Sequence, residues 1–156
     1  MDVGNNPKTF GWILGRVKDG TGSIAPREVI HLLTAARDAQ LSMLELGMDP
    51  PPAGEIWSRQ ALREAMLPVS QARLEQTIYA EYPDLKKAIV GLNGEKTGQA
   101  LYSLSRIWGV SKEEARVTAD ALVEIGFFER RGIKSFPEYW VPFLYRSGLD
   151  MVQGSA

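Results

Sequence analysis

Apolar positions recur along this chain with two different periods, first 3.6 and then 2. Over residues 9–17, Phe10, Ile13, Leu14 and Val17 fall on one helical face, and Lys18-Asp19-Gly20-Thr21-Gly22-Ser23 ends the run in turn residues. Pro26 suits the first turn of a second helix, for which Val29, Ile30, Leu33, Ala36 and Ala39 make the expected buried stripe. Residues 1–46 are therefore expected to form a helical hairpin. Pro50, Pro51 and Pro52 fix φ and remove backbone donors, so residues 47–56 read as an exposed linker. Short helices are expected in residues 57–83, capped by Ser58 and Ser70.

From residue 84 the pattern sharpens. Leu85, Ala88, Ile89 and Leu92 mark the inner face of one helix, and Leu101, Leu104, Ile107 and Trp108 that of the next. Gly109-Val110-Ser111 makes a tight turn, and Ser111 with Glu114 forms a capping box for a third helix facing inward through Ala115, Ala119, Leu122 and Val123. Gly126 stops that helix. The period then changes: residues 127–131 read as a short strand and residues 139–145 as a returning strand, with Pro142 suited to an edge. The expected fold class is mostly α, a helical N-terminal part followed by a helix-turn-helix plus β-hairpin unit in residues 84–150. Alternation along the hairpin sends Phe128, Trp140 and Tyr145 to one side and Phe127, Tyr139, Val141 and Phe143 to the other. One aromatic set is thus expected outside the small core, packed on the first half of the chain or offered to a partner.

Composition changes this picture in three ways. The absence of cysteine excludes disulfides, thiolate metal sites and thiol nucleophiles, and fits an expected cytoplasmic location. No run approaches 18 apolar residues, so no membrane partner is expected, and the N-terminus lacks a signal peptide's basic and apolar regions. The net charge is −1; residues 1–56 carry 5 basic and 7 acidic side chains, residues 57–83 carry 3 and 3, and residues 84–156 carry 10 and 9. That balance is weak footing for binding a polyanion.

Candidate chemistry is sparse. Gly91-Leu92-Asn93-Gly94-Glu95-Lys96-Thr97 fails as a phosphate-binding loop, because its glycines are too close and Glu95 stands where glycine should precede lysine. It reads instead as a helix-to-helix loop. The lone His31 lacks partners for metal binding or proton relay, and the serines at helix starts read as caps rather than nucleophiles. Asp120 and Glu124 stack on one outward helical face, where a solvated carboxylate keeps its ordinary chemistry. No catalytic residue, metal or cofactor is expected, and the chain is not expected to be an enzyme by itself.

The run from Gly109-Val110-Ser111-Lys112-Glu113-Glu114-Ala115 through Gly126-Phe127-Phe128-Glu129-Arg130-Arg131 resembles winged-helix domains. Taken with residues 25–33, 79–85 and 139–146, the chain also resembles the C-terminal region of bacterial P-loop ATPases of the AAA/STAND-like group. The resemblance implies a lid-like helical hairpin, then a winged helix, in a fragment whose ATPase core lies elsewhere. It implies a non-catalytic regulatory module that docks on a protein partner or on the ATPase part of the same protein. A DNA-binding transcriptional regulator is the alternative. Lys112, Arg116, Arg130, Arg131, Lys134, Tyr139 and Trp140 are the candidate contacts under either reading. The carboxylates Glu113, Glu114, Asp120 and Glu124 on the third helix weigh against DNA.

Overall fold

The computed structural model describes residues 8–133 and 135–156. The chain is mostly helical with one small sheet. Helix α1 (Thr9–Arg16) and helix α2 (Pro26–Glu45) come first, joined by residues 17–25. Between them the Asp19 carboxylate accepts from the backbone N–H of Thr21 and Ser23 at 2.9 and 3.0 Å, closing a tight turn. Pro26 occupies the first turn of α2, as its fixed φ favours.

Helix α1 leads into Val17 with Ile13 on its buried face, as hydropathy predicts, and Phe10 outside; the buried face of α2 departs further. Phe10 and Ile30 are 61% and 64% exposed, while α2 buries Glu28, Leu32, Ala36, Gln40 and Met43. Two polar residues sit on that inner stripe because each has a partner on another segment. Gln40 accepts from the Ser58 N–H at 2.7 Å, and Glu28 pairs with Arg73.

Helix α3 (Arg59–Glu64) is capped by Ser58, whose hydroxyl accepts from the Ala61 N–H, as expected. Ala65 separates it from helix α4 (Met66–Arg73). Pro68 cannot donate to the Glu64 carbonyl, and this missing bond accounts for a break at that point. Ser70 does not cap a helix. It lies buried inside α4 and accepts from the Gly148 N–H at 2.9 Å. A π-helical turn (Leu74–Ile78), helix α5 (Tyr79–Glu81), a 3-10 turn (Pro83–Leu85) and helix α6 (Lys86–Val90) follow.

The segment expected as a helix-to-helix loop contains strand β1 (Lys96–Ala100). Helix α7 (Leu101–Trp108) leads through Gly109, at φ 65°, to helix α8 (Lys112–Glu124), whose Ser111–Glu114 capping box forms as expected. Strands β2 (Glu129–Ile133) and β3 (Phe136–Trp140) make the hairpin. The return strand is shorter than expected, because Pro142 caps a short helix α9 (Phe143–Arg146). A 3-10 turn (Ser147–Leu149) then leads into strand β4 (Val152–Ser155).

The sheet order is β2-β3-β1-β4, with β1 antiparallel to β3 and parallel to β4. In register, Gly98 faces Trp140, and a Cβ at Gly98 would come within 2.8 Å of the indole ring. Pro137 pairs with Gly132 beyond the end of the β1–β3 ladder, where β3 has only β2 beside it.

One continuous core runs from Ile13 of α1 through Leu74, Leu104 and Leu122 to Leu149. Phe127, Phe128, Tyr139 and Tyr145 are all fully buried in it, with successive ring centroids 5.1–5.6 Å apart. Strict alternation fails here because Phe127 and Phe128 precede β2 and Tyr145 lies on a helix. The Gly20 N–H also donates to the Gly126 carbonyl at 2.7 Å, joining the α1–α2 turn to the end of α8.

A Cβ on Gly20 would stand 2.2 Å from the Phe128 carbonyl oxygen, so the backbone must shift to admit one. Gly20→Ala should cost about 2 kcal/mol or more in urea unfolding. Gly15→Ala, which meets nothing within 4 Å on α1, should be neutral or stabilising by up to about 1 kcal/mol. Equal effects of the two changes would refute this packing.

Candidate functional site

Helix α8 presents its outward side chains beside the β2–β3 hairpin. Lys112, in its first turn, is exposed and places Nζ 5.8 Å from the centre of the Tyr102 ring. Glu113, Val117 and Glu124 are also exposed, and Arg116 is half-buried. Lys134 lies outside the described residues.

Asp120 is not a free solvated carboxylate. It pairs with Arg130 across from β2 and accepts a hydrogen bond from the Tyr139 hydroxyl at 3.1 Å. Tyr139 itself is fully buried, so its side chain offers no surface to a partner. Burial, followed by the negative charge of Asp120, raises its hydroxyl pKa.

On the hairpin, both oxygens of Glu129 accept from Arg131, at 3.0 and 2.9 Å. That fork lowers the Glu129 pKa and raises that of Arg131. The Arg131 guanidinium also lies 4.8 Å from the Trp140 ring centre, and the Trp140 N–H donates to Glu138 at 3.1 Å. Arg130 and Arg131 are thus each committed to a carboxylate. Of the candidate cations described, Lys112 and Arg116 remain without an ion pair. The hairpin end is apolar instead: Ile133 and Phe136 are 65% and 77% exposed.

A second cluster lies inside the helical part. Glu28 Oε1 accepts from Arg73 at 3.2 Å and from Arg27 at 3.4 Å, and Arg27 also donates to the Thr77 hydroxyl at 2.7 Å. Thr77 belongs to the π-helical turn, so this turn and α2 meet at one carboxylate. Tyr145 completes the group from α9, its hydroxyl pKa pushed up to about 12 by burial, against the opposing pull of the Arg73 charge. Cavities of about 210 and 80 Å³ flank Glu28 and Arg73, the smaller lined also by His31. Among the described residues, no three His, Asp or Glu side chains converge as a metal site, and no helix is long and apolar enough to cross a membrane.

Sequence reasoning missed the Glu28–Arg73 pair, because a single glutamate near a helix start reads as solvated. It also missed the meeting of Arg16, Arg63 and Arg146 in one cavity, since these residues come from three separate helices. No family model, curated protein or solved structure matches the chain.

Two measurements probe the buried cluster. Glu28→Ala leaves Arg73 buried without its counter-charge and should cost about 3 kcal/mol or more in denaturant unfolding. A loss under about 1 kcal/mol would mark the pair as energetically idle. The Tyr145 phenol has a folded pKa above its unfolded value of 10.0, so its share of stability is intact below pH 10 and is lost as pH rises towards 12. The stability difference between wild type and Tyr145→Phe should therefore drift by about 2–3 kcal/mol over that interval, wild type losing more. A flat difference would show that the phenol titrates normally.

Proposed function

We propose that this chain is a non-catalytic docking module built on a winged helix, and the C-terminal part of a larger P-loop ATPase. Support for the fold reading comes from the order α6, β1, α7, α8, β2, β3, with β1 laid against β3. Such an order supports a winged-helix reading, in which a helix-turn-helix is followed by a hairpin that an earlier strand completes. The helical hairpin of α1 and α2 suits the lid that the family resemblance implies.

The observation that carries the functional reading is the state of the arginines on the α8 and hairpin face. A DNA-reading surface gains affinity by releasing counterions as cations meet phosphates. Here Arg130 and Arg131 already hold Asp120 and Glu129, while Glu113 and Glu124 stand exposed on α8. A phosphate would have to displace a carboxylate from each arginine and would still face the exposed acids. Val117, Ile133 and Phe136 offer the opposite chemistry, apolar side chains with half or more of their area in water. Burying such residues is the ordinary driving force for docking on another protein surface.

The module would act by contact, sensing the nucleotide state of the ATPase core through the domain on which it docks. A duplex DNA titration at about 50 mM and 200 mM salt should show no saturable binding, whereas a DNA-binding winged helix would lose affinity by orders of magnitude between the two. Tight binding with a steep salt slope would replace this proposal with the DNA-regulator reading. In parallel, the intact polypeptide that contains this chain should bind ATP. Phe136→Glu should alter its hydrolysis rate several-fold without unfolding it, as expected when a charge enters an apolar contact. An intact protein with no nucleotide-binding region would refute the ATPase part of the proposal.

A further inference from the structure

Three guanidinium groups converge where α1, α3 and α9 meet. Arg16, Arg63 and Arg146 line one cavity of about 310 Å³, together with Trp12, Met66 and Phe143, and no carboxylate lines it among the described residues. The Arg16 guanidinium carbon lies 3.5 Å from the centre of the Phe143 ring and 4.9 Å from that of Trp12. Arg146 lies 3.9 Å from the same Phe143 ring centre. Arg146 is held in place by donating to the Val141 carbonyl at 2.8 Å and to the Gln153 side chain at 3.2 Å. None of the three arginines forms an ion pair among the described residues.

Such a cluster is unfavourable in the empty protein. Desolvation, and then the neighbouring charge of Arg63, lowers the pKa of Arg16. Desolvation, then Arg16 and Arg131, lowers that of Arg146 to about 10. Glu129 is the carboxylate whose charge opposes this at Arg146, and both its oxygens are already taken by Arg131. Like charges held together without a counter-ion are relieved by an incoming anion, and the planar fork of arginine matches the oxygens of phosphate.

The space exceeds what a bare phosphate needs. At about 310 Å³ it is at the lower end of small-ligand sites. A second cavity of about 390 Å³ shares Trp12 and Arg63 with it and adds Lys8, Arg59, Trp57 and Glu55. Cationic and aromatic groups line both. We infer that the Arg16–Arg63–Arg146 cavity binds the phosphate group of a small organic phosphomonoester, whose organic part lies against Trp12, since the Phe143 ring is already taken by Arg16 and Arg146. This site is separate from the α8 and hairpin face and does not depend on the docking role.

The test is calorimetric titration of the chain with inorganic phosphate and with phenyl phosphate, at ionic strength held constant with chloride. Both should bind saturably, phenyl phosphate the tighter by about fivefold or more through its ring contact. Arg63→Gln removes no hydrogen bond or ring contact found among the described residues, so the variant should fold normally, confirmed by an unchanged or raised melting temperature. It should weaken both ligands by about tenfold, the scale of one lost charge-assisted bond. Arg16→Gln should weaken them at least as much, and Arg130→Gln should leave binding unchanged. Equal affinity for the two ligands would overturn the organic part of the inference and leave a site for the inorganic ion. A non-saturating response, or saturable binding that survives Arg63→Gln intact, would overturn the site itself.

Discussion

Burying the Glu28 carboxylate in the first turn of α2 is tolerable only because Arg73, carried in on α4, meets it at 3.2 Å. A lone carboxylate at 4% residue exposure would be driven to neutralise, or the helix would rotate to free it. With the pair in place, the rotation of α2 is decided. The face bearing Leu32, Ala36, Gln40 and Met43 turns inward, and Ile30 is left outside. Arg73 in turn stands beside the Tyr145 phenol of α9, so the α2 hairpin and the segment that follows the sheet share one polar junction. Ser70 adds a second tie on the same helix, holding the turn after α9 through the Gly148 N–H.

That junction explains why the helical part and the β-containing part share a core. Leu74 and Ile78 of the π-helical turn belong to the same apolar cluster as Leu104, Leu122 and Phe127. A π-helical turn places side chains at angles an α-helix cannot reach, and here it presents Thr77 to Arg27 beside the buried pair. The same principle operates at α8. Asp120 takes both Arg130 and the buried Tyr139 hydroxyl, so the hairpin is fastened to the helix by a charge and a phenol together. That fastening holds Arg130 in an ion pair.

How much of this the sequence disclosed follows from the kind of signal each element carries. Helices α7 and α8 are legible because their apolar spacing, the Gly109 turn and the Ser111–Glu114 box are all local. Strand β1 is not, since Lys96-Thr97-Gly98-Gln99-Ala100 has no apolar alternation, and its burial comes from Trp140 and β4 packing around small or hydrogen-bonded residues. The inner face of α2 is illegible for a related reason. Hydropathy assigns Glu28 and Gln40 to solvent, and only partners 45 and 18 residues away reverse that assignment. Within the candidate contact set, Lys112, Arg130 and Arg131 do lie at the surface, whereas the Tyr139 ring is buried beside Phe128 with its hydroxyl on Asp120.

A net charge of −1 therefore says little about where an anion could bind. The charge of a surface is set by which cations are already spent. Arg130 and Arg131 each face a carboxylate at the surface and Arg73 does so in the interior, while Lys112 and Arg116 on α8 have no ion pair among the described residues. Arg16 and Arg146 both lie over the Phe143 ring, and Arg63 lines the same cavity, which gathers three guanidinium groups without an ion pair among the described residues. Low-dielectric walls weaken screening there and strengthen the field that an anion would meet. Counting residues by region could not separate these two populations, because the distinction is one of geometry: the first set lies within bonding distance of acids, whereas the second forms no ion pair among the described residues and Glu129 reaches Arg146 only through its charge.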